Sequence, residues 1–516
     1  MVDLMTYQEA AKKMTLAEKL GQCFMPAAFI NDTEEEVRNI ETLIAEHHIG
    51  SICFFHSRAS AATNFEGKKK VVHNEKSYER LLQLIERYQK AAKYPLLIAI
   101  DAEWGLAMRI ENTPQYPYAL TLGAMQNRAD LVFEVGRQIG MDCRKAGIHW
   151  NLAPVVDINL NPENPVIGYR SFGADREKVT EYACAYLDGM KSVGILNSVK
   201  HFPGHGDTAV DSHLGLPKID KDQKTLLQQE LYPFKKLIAH GVDSVMVGHL
   251  AVPALSGGKS ISASISKEII TDFLRKELKY KGLIISDALN MHAISKDFSQ
   301  EGDVEYQAFA AGNDVLCFAD NVEAGIKKIM EHAAPHRIES SFERIWKLKQ
   351  KAFSVDGHDT TIPKETNLNH QLAKESLTFL KGAKKDLDNF RKSGFHYVQF
   401  GDAKNNFFAS ELQSYQSNPN SCVLGIFPPN AKPKGNFGFT DMQIDAINRM
   451  VLEKDCVLYL FGNPFFLNLL DWQKAQAVIV VYQDFKEFQE VTLQHFLGKL
   501  DAKGKLPVTL NVWQNG

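Results

Sequence analysis

No apolar run in the chain approaches the roughly 18 residues that a membrane span needs, so no segment reads as a transmembrane helix. The amino terminus, MVDLMTYQEAAKKM, also lacks the apolar stretch of a signal peptide. Charge of one sign is not concentrated anywhere. Fifty-nine basic residues against 62 acidic ones leave a formal charge of -3 over 516 residues, with no block that would draw nucleic acid or an anionic membrane. Cysteine is sparse and scattered: Cys23, Cys53, Cys143, Cys184, Cys317, Cys422 and Cys456 make an odd count with no C-x-x-C spacing. That removes the usual zinc and thiol-redox patterns and predicts buried thiols in a reducing compartment. Cytoplasm is the expected address, or periplasm or exterior if a leader has been removed. No metal, cofactor, nucleic-acid or membrane partner is expected.

With 44% hydrophobic and 23% charged residues, the composition is that of an ordinary globular protein, and the length suggests more than one domain. From about residue 20 to residue 318, eight short β-rich runs alternate with helical stretches: GQCFMPAA, IGSICFF, PLLIAID, IHWNLAPVVDIN, NSVKHF, DSVMVGH, GLIISDA and NDVLCF. Eight such units predict an α/β fold closed as a (β/α)8 TIM-type barrel rather than an open sheet. After FERIWKLKQKAF, the stretch SVDGHDTTIPKETN has the Gly, Pro and Thr content of a linker. A second alternation follows, running to LPVTLNV, and predicts a smaller α/β sandwich domain with a mostly parallel sheet. That half carries no Gly-rich phosphate loop, so a nucleotide is not implied. The expected division is a barrel at 1–352, a linker at 353–368 and a carboxyl-terminal domain at 369–516.

Several runs end in polar residues that a barrel would gather at one mouth: Asp101, Asp157 and Asn159, Lys200 and His201, His249, and Asp287. Carboxyl-terminal strand ends are where barrel active sites sit. Between the fifth run and the next helix lies VKHFPGHGDTAVDSH, with Pro203, Gly204 and Gly206 turning the backbone sharply. In an extended segment, positions two apart point the same way, so Asp211 can hydrogen-bond one ring nitrogen of His213 and leave the other to exchange a proton. Two other readings remain open: histidines that cap or fill the loop, and ligands for zinc or manganese drawn from His201, His205, Asp207, Asp211 and His213. GLIISDALNM delivers Ser286 and Asp287 at the end of an apolar strand. A carboxylate there could attack an electrophilic carbon while His213 protonates the leaving oxygen, which is a glycosidase arrangement.

The stretch from Lys200 to His213, K-H-F-P-G-H-G-D-T-x-x-D-S-H, resembles the signature of the β-N-acetylglucosaminidases of glycoside hydrolase family 3. APVVDINLNPENPVIGYRSFG (153–173), SVMVGHL (244–250) and GLIISDALNM (282–291) agree in order and context, and LAKESLTFLKG and GKLPVTL resemble the two ends of the second domain in two-domain members. The resemblance implies a retaining exo-acting enzyme working through a covalent glycosyl-enzyme intermediate. It makes Asp287 the nucleophile, His213 the general acid and base, and Asp211 its dyad partner. It assigns Asp101, Arg170, Lys200 and His201 to the sugar's hydroxyls and acetamido group, with Met246 lining the same subsite. The implied substrate is a small carbohydrate, a GlcNAc-containing oligosaccharide or muropeptide of peptidoglycan recycling, acted on by a monomer or homodimer. Where the family usually reads D-Q-E-G-G-R-V, this chain reads DAEWGLAMRI, with Trp104 and Leu106 in place of small and charged residues and Arg109 a loose match to the expected arginine. The D-S-H loop stands in for the glutamate that the second domain supplies in the family's β-glucosidases, so that domain is assigned no catalytic residue. Two alternatives are a β-N-acetylglucosaminide phosphorylase using the same site and a sugar-binding protein without catalysis.

Overall fold

The computed structural model describes residues 4–57, 73–209, 215–291, 294, 298–354, 367–403, 405–413 and 418–511. The chain forms two compact units. The first comprises Met1–Gln115, Val132–Asp157 and Ala183–Ile362, and the second Tyr116–Leu131, Ile158–Tyr182 and Pro363–Gly516. Of the expected linker, 355–366 lie outside the described residues; the helix Pro335–Phe353 precedes them and the helix Leu368–Ser376 follows.

Among the described residues, the first unit is built on nine short strands: β1 (Phe24–Met25), β2 (Ala27–Phe29), β3 (Ser51–Phe55), β4 (Leu97–Ile100), β5 (Trp150–Asn151), β6 (Leu196–Phe202), β7 (Ser244–Val247), β8 (Leu283–Ser286) and β9 (Leu316–Cys317). Strands β2 to β8 form one curled sheet in sequence order, and every neighbouring pair is parallel. Parallel strands covered on both faces need near-continuous apolar sequence, and β3, β4, β7 and β8 are buried at every position. Pro26 lacks the N–H that a ladder uses, so the run GQCFMPAA breaks there into β1 and β2. On one side of this break β1 pairs in parallel with β9, with Leu316 donating to the Cys23 carbonyl at 2.8 Å. From β8, the Ser286 N–H reaches the Val315 carbonyl at 3.0 Å. Pro154 likewise cuts the fourth run short, and pairing resumes as the single bridge Val155–Lys200.

Helices between the strands follow the apolar periodicity. In Glu34–His47, Val37, Ile40 and Ile44 face inward, and Thr33 and Glu36 form a reciprocal capping box at the start. Among the described residues no helix is long and apolar enough to cross a membrane. Cys184 is half-buried and the other six cysteines are buried.

The second unit holds a five-stranded mixed sheet of β10 (Thr378–Lys381), β11 (His396–Phe400), β12 (Ser421–Ile426), β13 (Asp455–Leu460) and β14 (Ala477–Val480), in the order β10-β14-β13-β12-β11. Strands β11 to β14 run parallel, and β10 alone is antiparallel to its neighbour. Leu120 and Ala124 join its core beside Leu424, Leu458 and Val478, and Lys505 donates to the Ala124 carbonyl at 2.9 Å. Within LPVTLNV, residues 506–511 form no strand: Val508 and Leu510 are buried, and the Pro507 carbonyl takes its bond from Ala174.

Asp314, just before β9, is wholly buried and accepts from Arg275 at 2.8 Å, Arg344 at 2.9 and 3.0 Å, Ser341 at 2.7 Å and the Ile284 amide at 3.0 Å. Removing it takes a buried carboxylate away from two half-buried guanidinium groups, so Asp314→Ala is expected to cost about 3–5 kcal/mol in urea unfolding. Lys347→Ala, which breaks an exposed pair with Glu343, should cost less than about 0.5 kcal/mol. Equal costs would contradict this reading of the core.

Candidate active site

The carboxyl ends of β4, β6, β7 and β8 bring a set of charged side chains together in the first unit. Lys200, on β6, is 2% exposed, and its Nζ lies 2.8 Å from Asp101 Oδ1 and 2.8 Å from Glu103 Oε1. Asp101, directly after β4, also accepts from Arg109 Nη2 at 2.8 Å, and the Arg109 guanidinium sits 4.8 Å from the Phe55 ring centroid. Burial pushes the Asp101 pKa up, but Lys200 and Arg109 outweigh it and hold the carboxyl below the ordinary carboxylate range.

Beside this cluster, Asp157 is fully buried and organises the start of the loop after β6. It accepts from the His201 amide at 3.2 Å, from the His205 amide at 2.7 Å and from His201 Nδ1 at 2.8 Å. A carboxylate only accepts, so the bond places the His201 proton on Nδ1 and fixes the ring. Burial again works against ionisation of Asp157, and the His201 ring together with the His205 amide overcomes it. His205 bonds Thr208 Oγ1 at 2.7 Å, and burial lowers its pKa to about 4, so it stays neutral. Gly204 takes φ 124°, a conformation side chains rarely adopt, and a Cβ there would lie 2.7 Å from the Glu230 Cβ.

Asp287 follows β8. Its amide donates to the Val247 carbonyl at 2.9 Å and its Oδ1 accepts from the Ala288 amide at 2.8 Å. Burial raises its pKa, yet His249, His201, the Ala288 N–H and Lys200 together bring it down to about 2. It is therefore an ionised carboxylate at neutral pH. His249 in turn is fixed by Ser264 Oγ at 2.7 Å and the Ala288 carbonyl at 2.8 Å. Such a site can present one ionised oxygen nucleophile beside bound polar groups.

Of the residues the sequence singles out, Asp101, Lys200, His201 and Asp287 are brought into this one charge network. Met246, 3% exposed, lies on β7 in register with Ile285 of β8. Arg170 belongs to the second unit, ending the turn Gly168–Arg170 and donating to the Val166 carbonyl at 3.3 Å. Asn159 is in that unit too, donating to the Gly168 carbonyl at 3.0 Å. Asp211 and His213 lie outside the described residues. Among the described residues, no cluster of His, Cys, Asp or Glu is grouped to hold a metal ion. Sequence reasoning gave no role in the sugar site to Glu103, Asp157 or His249, and named His205 only as a possible metal ligand. Asp157 and His249 did carry a signal, as polar residues closing apolar runs; the pairing of Glu103 with Lys200 carried none.

Residues 15–348 match the glycosyl hydrolase family 3 N-terminal domain, so the chain belongs to that family. It is 32% identical over 376 residues to β-hexosaminidase A of Pseudoalteromonas piscicida, covering 66% of this chain and 61% of that protein. With a β-hexosaminidase of Idiomarina loihiensis it shares 30% identity over 302 residues, 57% of this chain and 88% of the other. The solved glycoside hydrolase family 3 β-N-acetylglucosaminidase of Paenibacillus sp. strain FPU-7 superposes with a TM-score of 0.78 at 26% identity, covering 96% of this chain and 99% of that one. The chain thus spans less than two thirds of the Pseudoalteromonas relative.

The site's charge states make stability depend on acidity in one direction. Carboxylates whose folded pKa lies below the unfolded value of about 4 contribute stability above that value and lose it as pH falls toward about 2. His205, at about 4 against about 6.5 unfolded, favours the folded chain above pH 6.5 and stops doing so as pH falls through 4. The thermal midpoint should fall continuously from pH 7 to pH 3, and Asp157→Asn should flatten the acid limb while lowering the midpoint at pH 7. A midpoint independent of pH over that range would contradict these charge states.

Proposed function

We propose that the chain is a retaining exo-β-N-acetylglucosaminidase that hydrolyses terminal non-reducing β-linked GlcNAc from peptidoglycan fragments or chitooligosaccharides. The observation that carries this reading is the Asp287 carboxylate, held ionised at a strand end beside Lys200, His201 and His249, in a chain whose relatives include proteins named β-hexosaminidases. In this reading Asp287 attacks the anomeric carbon and forms the glycosyl-enzyme ester. His213, oriented by Asp211, protonates the departing oxygen and then takes a proton from the water that releases the sugar. Asp101, Arg170, Lys200 and His201 bind hydroxyls and the acetamido group, and Met246 lines the subsite.

The parallel sheet of the first unit is read as a closed (β/α)8 barrel over 1–352, which the bonds joining β8, β9 and β1 support, followed by a linker at 353–368 and an α/β domain at 369–516. The chain acts in the cytoplasm, or in the periplasm or outside the cell if a leader is removed, as a monomer or homodimer and without a cofactor.

Hydrolysis of an aryl β-GlcNAc substrate in preference to the matching β-glucoside is the direct test, and the reverse preference sinks the proposal. Asp287→Ala should lower kcat on the order of 10⁴-fold or more while leaving the fold intact. His213→Ala should cost about 10²–10⁴-fold on substrates with poor leaving groups and much less on good ones, since only the former need protonation. Equal losses on both would make His213 a positioning residue. Product analysis in phosphate buffer decides the acceptor, because GlcNAc-1-phosphate would replace free GlcNAc if phosphate rather than water attacked the intermediate.

A further inference from the structure

Two of the buried cysteines stand against each other in the second unit. Cys422 is the second residue of β12 and Cys456 the second residue of β13, and the parallel register pairs them directly. Side chains paired in this way project from the same face of a sheet, so both thiols enter the core beside Ile447 and Val451 of the helix Asp441–Glu453. Neighbouring strands run about 4.7–4.9 Å apart, inside the roughly 4.4–6.8 Å that a disulfide spans between its Cα atoms. The two Sγ atoms lie 2.8 Å apart, closer than the roughly 3.5–4.0 Å at which the smaller carbon atoms rest. Strand register and side-chain approach therefore agree.

The two thiols are not equivalent. Their mutual hydrogen bond holds Cys422 below the ordinary thiol range against its burial, with Lys454 adding to the effect, and the same bond pushes Cys456 up. The thiolate is the nucleophile, so Cys422 is the member of the pair that reacts first. Elsewhere, burial pushes Cys23, Cys143 and Cys184 up and keeps them as thiols. Cys317 is pushed up as well, by its hydrogen bond with Cys53 and by burial, and those two residues sit on strands of different sheets, β9 and β3. Access to the Cys422–Cys456 pair comes from its place at the amino ends of both strands. Asp455, next to Cys456, and Asn420, two residues before Cys422, are exposed, and strand ends open more readily than strand centres.

The geometry points to Cys422 and Cys456 as a reversible oxidation site, at which a hydroperoxide converts the two thiols to a disulfide that ties β12 to β13 and makes the second unit harder to unfold. In the first step the Cys422 thiolate attacks the peroxide, the O–O bond breaks, and a sulfenic acid forms with release of hydroxide, or of an alkoxide from an organic peroxide. Cys456 sulfur then attacks Cys422 sulfur; the S–S bond forms, the S–O bond breaks, and the oxygen leaves as water with the Cys456 proton. The peroxide is reduced and the two sulfurs are oxidised, and a dithiol reductant reverses the change. The closed loop holds the crossover helix Asp441–Glu453, so the crosslink removes freedom from the unfolded chain.

The test treats the full, unsubstituted chain with hydrogen peroxide, unfolds it in the presence of an alkylating agent and maps the peptides by mass. Two of the seven cysteines, Cys422 and Cys456, should escape alkylation and appear as one joined peptide, and dithiothreitol should restore both. The crosslinked chain should melt about 5–10 °C above the reduced chain. In Cys456→Ser the reaction should stop at a Cys422 sulfenic acid that dimedone traps, whereas Cys143→Ser should crosslink as the unsubstituted chain does. Alkylation of all seven cysteines after peroxide, a bond between any other pair or a bond between chains overturns the oxidation site. A melting midpoint that the crosslink leaves unchanged or lowers overturns its stabilising role. Neither result bears on the glycosidase reading, which is tested on its own substrate.

Discussion

A lysine ammonium almost wholly removed from water organises the first unit's charged end. Taking that charge into a low-dielectric surrounding is costly, and the cost is met only by close opposite charge. Lys200 has two carboxylates at 2.8 Å, from Asp101 and Glu103, on the segment that leaves the neighbouring end of β4. The same contacts keep Asp101 ionised against its own burial, with Arg109 as a further cation. The pairing therefore clamps the ends of separate strands together and sets the local field. That field extends to Asp287, where Lys200 joins His249 and His201 in holding a half-buried carboxylate charged.

Around this core, ring orientation is settled by groups that only accept. Asp157 accepts a hydrogen bond from His201 Nδ1–H, and the Ala288 carbonyl accepts one from His249 Nε2–H. Asp157 is wholly buried and accepts from two backbone amides, and Ala288 lies two residues past the end of β8. A parallel sheet suits this arrangement, because its strands all end on the same side and bring polar residues from distant parts of the chain to one place. The second unit uses the same property at β11 to β14, where the loops carry aromatic rings, amides and carboxylates.

Much of the first unit's pattern was legible from local sequence. Apolar runs such as LIAI, SVMV and LIIS are hydrophobic at nearly every position, which is what burial on both faces demands. Strand ends such as Asp101, Lys200 and Asp287 stood out because a charged residue closing an apolar run is costly unless a site uses it. Two prolines, Pro26 and Pro154, divided runs that read as continuous, since a missing N–H interrupts a ladder without changing hydrophobicity. LPVTLNV has strand composition, but its buried residues thread the second unit through isolated bonds rather than a ladder.

The amino-acid sequence by itself determined most of the strands and helices, that they alternate in two blocks, and that the K-H-F-P-G-H-G-D signature is of the glycoside hydrolase family 3 type, because periodicity and motif spacing are local properties of the chain. Only the tertiary structure decided that Lys200 pairs with Glu103 as well as Asp101, that Asp157 governs both His201 and His205, and that residues 116–131 and 158–182 pack with the carboxyl-terminal block. Those outcomes depend on distances of a few ångströms between residues tens to hundreds of positions apart, and such distances are set by how the strands curl and where buried charges find partners.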